Sequence, residues 1–325
     1  MADHAVDEYD GDDVFIYRGG RAPQHVTHVL IDKSADEIED HAFRDCEHLV
    51  KVDTHDGLRR VGMYAFYCCK SLRRINLNSV FEIDICAFYN CGSLEYVEFG
   101  YRLETIWKHA FNGCFSLKAL LKLPSIISIG SCAFYRCRSL TDIELSERLE
   151  TIGESALRYC EHLQRIAMPL KRDLFEFSDS WLKYNQFDNS KQVTTVDLVG
   201  GIHETVASLH MESWGTEMIA EINRINQVLP NTPADEKTEE IRQWMDSVID
   251  KMDHYKAEHC RYVKEGITLL ELALWKAKLG VKEECAVEMS SKRAKVDSES
   301  TRKERRITCG ADTVIKNVLP FLKLN

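Results

Sequence analysis

Twelve cysteines and twelve histidines are the residues of this 325-residue chain best suited to metal binding, redox work or nucleophilic catalysis. The stretch SCAFYRCRSLTDIEL (131–145) sets Cys132 and Cys137 five residues apart. A metal site needs ligands that converge on one point, and a reactive thiol needs a neighbour that lowers its pKa. Neither is signalled locally. His254 and His259 are five apart, not the four that put two ligands on one helical face, and His25 and His28 have no cysteine pair beside them. Cys68 adjoins Cys69 and is the strongest candidate for a reactive thiol, but no nearby residue marks it as activated. The chain holds no Gly-x-Gly-x-x-Gly, Walker-type or Gly-x-Ser-x-Gly stretch, the usual marks of nucleotide sites and hydrolases. The expectation is no catalytic residue, no metal and no cofactor.

The cysteines gain a meaning from repetition. Phenylalanine recurs at Phe43, Phe66, Phe88, Phe111 and Phe134, with Leu157 in the sixth place, at spacings of 22 or 23. Alanine precedes each of them, from Ala42 to Ala156. Three residues after each comes a cysteine: Cys46, Cys69, Cys91, Cys114, Cys137 and Cys160. A leucine follows three later, from Leu49 to Leu163, and then Val52, Ile75, Val97, Leu120, Ile143 and Ile166. A period in the twenties with this lattice predicts a solenoid whose turns each carry a short strand, such as LRRINL (72–77) or LTDIEL (140–145). Stacked turns make each apolar column a ladder about 4.8 Å per rung. The six periodic cysteines are then small buried hydrophobes. Parallel Cβ vectors disfavour disulfides between rungs. Serine at Cys114 is expected to cost roughly 1–3 kcal/mol, as a hydroxyl without a sure partner. Cys132 shares its column with His41, Tyr64, Cys86, His109 and Ser155, a mixture that predicts a half-exposed position.

The pattern L-x-x-I-x-x-x-A-F-x-x-C-x-S-L-x-x-I-x-L, nearly complete in 103–122 and 126–145, resembles the BspA-like leucine-rich repeat family over about residues 30 to 168. GGIHETVASLHMESW (200–214), INQVLP (225–230), WMDSVIDKMDHYKAEH (244–259) and IKNVLPFL (315–322) resemble the C-terminal part of intracellular leucine-rich repeat proteins of diatoms. The resemblance implies a non-enzymatic interaction scaffold and names no partner.

The fold expected is α/β: a leucine-rich repeat solenoid of six turns, then an α-helical hairpin. The boundaries are an acidic, disordered 1–24, the solenoid over 25–199 with an enlarged last turn, the hairpin over 200–280, a charged disordered linker over 281–310, and a short segment 311–325. In the hairpin, Met211, Trp214, Met218, Ile222, Ile225 and Leu229 form one helical stripe. Ile241, Met245, Val248, Met252, Tyr255, His259, Tyr262 and Leu269 form the other, with Thr238 as a candidate cap. Trp214, Trp244 and Trp275 are more apolar bulk than a free hairpin can bury, so the hairpin is expected to dock on the end of the solenoid and close its core.

Net charge is −10, the first thirteen residues hold six acids and no base, and no 18-residue apolar run occurs. These features predict a protein that is not exported, does not span a membrane and does not bind nucleic acid along its length. The location expected is cytoplasmic, with the basic stretch 292–306 as a candidate nuclear import signal. Residues on the strands alternate in and out. One outward column holds Lys51, Arg74, Tyr96, Ala119, Asp142 and Arg165, and the other Asp53, Asn76, Glu98, Leu121, Glu144 and Ala167. Mixed charge with an aromatic fits a protein partner better than a phosphate backbone. The candidate partner-binding residues are Lys51, Asp53, Arg74, Asn76, Tyr96, Glu98, Asp142, Glu144 and Arg165, for an unidentified protein rather than a nucleic acid, a membrane or a small-molecule substrate. The helical hairpin is a second candidate binding element, one of its stripes receiving a partner helix, and the alternative functions are a cell-surface adhesin and an enzyme with an unrecognised site.

Overall fold

The computed structural model describes residues 9–10, 14–118, 120–175, 186–200 and 212–291. The chain divides into two compact units, Met1–His259 and Cys260–Asn325. In the first, each turn of about 23 residues adds one strand to each of two parallel stacks. One stack is built from two-residue strands: Glu37–Ile38, Arg60–Val61, Glu82–Ile83, Thr105–Ile106, Ser128–Ile129 and Thr151–Ile152, all in register. The inner residue of every one is a buried isoleucine or valine. The other stack has longer strands. Val14–Tyr17, His28–Ile31, Lys51–Asp53, Arg74–Leu77 and Tyr96–Phe99 pair in parallel, and Leu120–Leu123, Asp142–Leu145, Arg165–Pro169 and Thr195–Val199 form a second section.

Between the stacks lie the ladders that the repeat predicts. Phe43, Phe66, Phe88, Phe111 and Phe134 are wholly buried. Their rings stack at 5.0–5.5 Å between centroids and within 11° of parallel. Cys46, Cys69, Cys91, Cys114, Cys137 and Cys160 are also wholly buried, and every described cysteine is a free thiol. They are more than small hydrophobes. Cys69 Sγ donates to Phe43 O (3.1 Å), Cys91 to Phe66 O (3.0 Å), Cys114 to Phe88 O (3.2 Å), Cys137 to Phe111 O (3.3 Å) and Cys160 to Phe134 O (3.2 Å). Each thiol ties its turn to the phenylalanine carbonyl of the turn before. Burial pushes these thiols well above the ordinary value of 9.0, Cys160 to about 12.

The Ala-Phe-x-x-Cys arc is tightened by two left-handed residues per turn, a feature the repeat pattern alone did not convey. His41, Tyr64, Cys86, His109, Cys132 and Ser155, two before the ladder residue, have φ of 55–61°. Asp45, Cys68, Asn90, Gly113, Arg136 and Tyr159, two after it, have φ of 58–78°. Asp, Asn and Gly in the second column are the residues that tolerate this region best, so that column held a readable signal. In the first column His41, Tyr64, His109 and Cys132 are half-exposed as expected, whereas Cys86 and Ser155 are buried.

Two expectations about register are corrected. Leu120 pairs with Asp142 and Leu121 with Ile143, so Leu121 is the buried inner residue and Leu120 stands in the outward column. Lys122, not Leu121, is aligned with Glu144. The fourth turn therefore carries one extra residue before its strand; Ala119 lies outside the described residues. Ala167, expected to face outward, is buried.

The solenoid has a further, seventh turn. Leu157 N donates to Gln186 O and Tyr159 N to Asp188 O, as Phe134 N donates to Ala156 O and Arg136 N to Arg158 O one turn earlier. Phe187 thus takes the ladder place and is wholly buried. Ser190 takes the cysteine place, its Oγ donating to Leu157 O at 2.7 Å. Val193 and Val196 complete the lattice. This is the enlarged last turn expected within 25–199: its spacing grows to 30 residues, and Gln186 and Ser190 stand where alanine and cysteine stand in the other turns. At the other end Val14–Tyr17 lies within the segment expected to be disordered, and Tyr17 packs on Phe43 with centroids 4.9 Å apart. Tyr17, wholly buried, covers the first ring of the phenylalanine ladder.

Two antiparallel helices close the far end, α1 (Glu212–Val228) and α2 (Lys237–Ser291), joined through a 3-10 turn at Leu229–Asn231. Met218, Ile222, Ile225, Ile241, Trp244, Met245 and Val248 are buried, and Trp244 Nε1 donates to Glu221 O at 3.0 Å. Three helical side chains replace the missing next turn. Val196 N, on the open edge of the last strand, donates to Asn226 Oδ1 at 2.8 Å. Phe187 N donates to Thr238 Oγ1 at 3.3 Å, where every earlier ladder residue finds a backbone carbonyl. Thr238 is therefore a cap for the solenoid rather than for its own helix. The buried Lys237 ammonium donates to Lys191 O (3.0 Å) and to Val193 O. Arg172 pairs with Asp250 (2.6 Å), Asp246 and Asp253. The segment 201–211 and its Met211 lie outside the described residues.

In the second unit α2 runs to Ser291, so 281–291 is helical where a linker was expected. Tyr262, Leu269, Leu272, Leu274 and Trp275 are exposed, so the second stripe stops burying side chains at Tyr255 and Trp275 is not core. Residues 292–306 and 311–325 lie outside the described residues.

Candidate interaction surface

The long strands carry the predicted outward columns because one face of each strand is committed to the ladders. Pairing brings Lys51 beside Arg74 and Arg74 beside Tyr96, with Asn76 beside Glu98. Further along, Asp142 lies beside Arg165 and that residue beside Thr195, and Glu144 beside Ala167. The nine candidate residues are all exposed or half-buried.

Their electrostatics divide the face. At one end, Asp53 accepts from Lys51 and His28, both at 2.7 Å. Burial opposes ionisation there, but those two partners outweigh it and hold the Asp53 carboxyl below its usual value. At the other end Arg165 Nε donates to Asp197 at 2.5 Å, and Lys122 pairs with Glu144 at 3.8 Å. The middle is different. Among the described residues, Arg74, Asn76, Tyr96 and Glu98 make no ion pair; Glu98 accepts only a long bond from Asn78 (3.5 Å), and Asn76 Oδ1 turns the chain by accepting from Asn78 N (2.9 Å). Tyr96 is 50% exposed.

A second surface, not anticipated from the columns, lies along the Ala-Phe-x-x-Cys arcs. His41 stacks on Tyr64 (5.1 Å) and Tyr67 on Tyr89 (5.1 Å). Arg44 sits over Tyr64 and Tyr67, and Arg136 over Tyr135 and Tyr159. In the sequence this surface shows as Arg44, Tyr67, Tyr89 and Tyr135 directly after the ladder phenylalanines. The short-strand face is braced instead: Arg60 pairs with Glu37, Asp40, Glu82 and Asp84 at 2.5–3.9 Å.

Among the described residues, no group of three or more His, Cys, Asp and Glu is placed to hold a metal ion, and no helix is long and apolar enough to cross a membrane. Cys86, His109 and Cys132 occupy one column but on successive turns, so they are spread along the axis instead of converging.

A parallel solenoid with leucine, isoleucine, phenylalanine and cysteine ladders, and with its polar groups in extended columns, defines a leucine-rich repeat scaffold, an architecture that fits a protein-interaction role. The chain belongs to the family described as the BspA type leucine rich repeat region, whose model matches six copies over residues 22–121 and 81–202. No curated protein matches it significantly. Among solved structures, a leucine-rich repeat protein from Bacteroides ovatus is similar at 22% identity and a TM-score of 0.37, covering 54% of this chain and 61% of that one. The leucine-rich repeat protein of T. pallidum is similar at 22% identity and a TM-score of 0.38, covering 65% of this chain and 88% of that one. A leucine rich cell surface protein from Faecalibacterium prausnitzii is similar at 20% identity and a TM-score of 0.27, covering 55% and 62%. The chain thus spans about three fifths of the Bacteroides ovatus protein's length.

Proposed function

We propose that this protein is a non-catalytic scaffold that binds a protein partner through the long-strand face, centred on Arg74, Asn76, Tyr96 and Glu98. The observation that carries this reading is the contrast within the face. At the ends Lys51, Asp53, Glu144 and Arg165 are held in ion pairs, Asp142 excepted, whereas the centre presents an arginine, a glutamate and a half-exposed tyrosine without internal ion pairs. Tyrosine and arginine are the residues that most often carry binding energy at protein interfaces. Mixed charge favours a protein over a nucleic acid backbone, which would draw a uniformly basic face. The remaining candidates, Lys51, Asp53, Asp142, Glu144 and Arg165, form the rim.

The test is affinity capture from cells with the wild-type chain and with an R74A/Y96A variant. Proteins retained by the first and lost by the second, with thermal stability unchanged, support the reading. Retention by both refutes the strand face as the binding surface, and loss only on mutating Tyr67 and Tyr89 transfers the function to the arc surface. A cytoplasmic location, with nuclear import through 292–306, belongs to the same proposal. Replacing Arg302, Lys303, Arg305 and Arg306 by alanine should move a tagged chain out of the nucleus; a wild-type chain that never enters the nucleus leaves that stretch without an import role.

A further inference from the structure

We infer that the helix of the second unit is a self-association element, which pairs antiparallel with the same helix of a second copy through a seam of Cys260, Val263, Ile267, Leu270, Leu274 and Ala277. Three observations on this helix converge. First, these positions are spaced 3, 4, 3, 4 and 3, and Val281 continues the series, which is the heptad repeat of a coiled coil. Cys260 and Leu274 are exposed and Val263, Ile267 and Leu270 only half-buried. Helices this apolar are ordinarily covered.

Second, the flanking charges select the direction and the register. Lys264, Glu271 and Lys278 occupy one flank at seven-residue intervals, and Gly266, Ala273 and Gly280 the other. In a parallel pair the two flanks face each other, so each charge meets a glycine or alanine and gains nothing. In an antiparallel pair each flank meets its own copy. Crossing the helices between Ile267 and Leu270 layers Ile267 on Leu270, Val263 on Leu274 and Cys260 on Ala277, each twice. That register sets Lys264 against Glu271 twice. Moving it one heptad either way sets like charges together, Lys264 on Lys264 or Glu271 on Glu271. Among the described residues neither Lys264 nor Glu271 has an ion pair, so both are free for such a contact.

Third, Gly266 lies in the middle of the helix, where glycine is less favourable than alanine. A Cβ added there would meet nothing within 4 Å, so the chain's own packing does not require the glycine. In the antiparallel register Gly266 faces Ala273 of the second copy, and two small residues let the backbones approach closely. Leu269, Leu272 and Trp275 fall outside this seam.

Sedimentation equilibrium of the full-length chain tests the inference. A monomer–dimer equilibrium is expected for wild type, with K264E raising the dissociation constant about tenfold, because two attractive contacts become repulsive. The double variant K264E/E271K should return it to within about threefold of wild type. Gly266→Leu should raise helix content and weaken association together. Orientation is read by oxidation: A277C should cross-link to Cys260 of the second copy, mapped by mass spectrometry. A wild-type chain that is monomeric at all concentrations overturns the proposal, as does a Cys260–Cys260 cross-link, which requires the parallel arrangement. Failure of the charge swap to restore a weakened dimer overturns the register.

Discussion

The periodic cysteine is the residue on which the solenoid's internal logic is clearest. Its thiol bonds the carbonyl of the preceding phenylalanine, and in the last turn a serine hydroxyl makes the same bond at 2.7 Å. The cost of 1–3 kcal/mol first expected for Cys114→Ser assumed an unpartnered hydroxyl. With Phe88 O as a ready acceptor, Cys114→Ser should cost under about 1 kcal/mol, while Cys114→Ala should cost about 1–2 kcal/mol for the lost atom and bond. Denaturant melts of the two variants check the order. Phe111→Ala removes a ring stacked on both sides and should cost about 3–5 kcal/mol. The thiols also set a pH limit. Their folded pKa is raised, so their contribution is complete below the ordinary thiol value of 9.0 and is lost as pH rises from there toward about 12, because the unfolded chain ionises first. Melting temperature should fall progressively above about pH 9, and Cys114 should resist alkylation in the native protein throughout the neutral range.

At the scale of the element, each turn is held by two left-handed residues, and their tolerance is uneven. Asn90 at φ 61° is well suited. Asn90→Val places a β-branched side chain there and should cost about 1–3 kcal/mol, whereas Asn90→Gly should be close to neutral, as read by thermal unfolding. The helical cap is an element whose side chains imitate backbone. Asn226→Ala leaves Val196 N without its acceptor at the end of the sheet and should cost about 1–3 kcal/mol. Hydrogen exchange at Val196 should accelerate in that variant.

At the scale of the first unit, the capping helices and the solenoid lie in one compact unit, Met1–His259, which predicts that they unfold together. Removing everything after Val199 exposes the edge of Thr195–Val199 and the carbonyls that Lys237 covers. The truncated chain should melt lower than the full chain and aggregate through its open edge. A monomeric truncation with an unchanged melting temperature would show the helices to be an independent module.

Sequence alone determined the solenoid, because a lattice of Phe, Cys, Leu and Ile repeated at 22 or 23 residues leaves stacked turns as the way to bury all of it. The nine surface candidates were legible for the same reason, since strand alternation follows from the inner column. Where that column was degenerate, as in LKALLKLP, alternation could not choose between Leu120 and Leu121, and only strand pairing with Ile143 did. The enlarged last turn was legible, but the places of Phe187 and Ser190 within it were decided by tertiary structure, because its defining contacts are backbone bonds to the previous turn, which tolerate Gln186 and Ser190 in place of alanine and cysteine. The cap was hidden for a related reason. Asn226, Lys237 and Thr238 satisfy groups 30 to 51 residues away in the chain, and no local pattern encodes which buried donor or acceptor a polar side chain will meet.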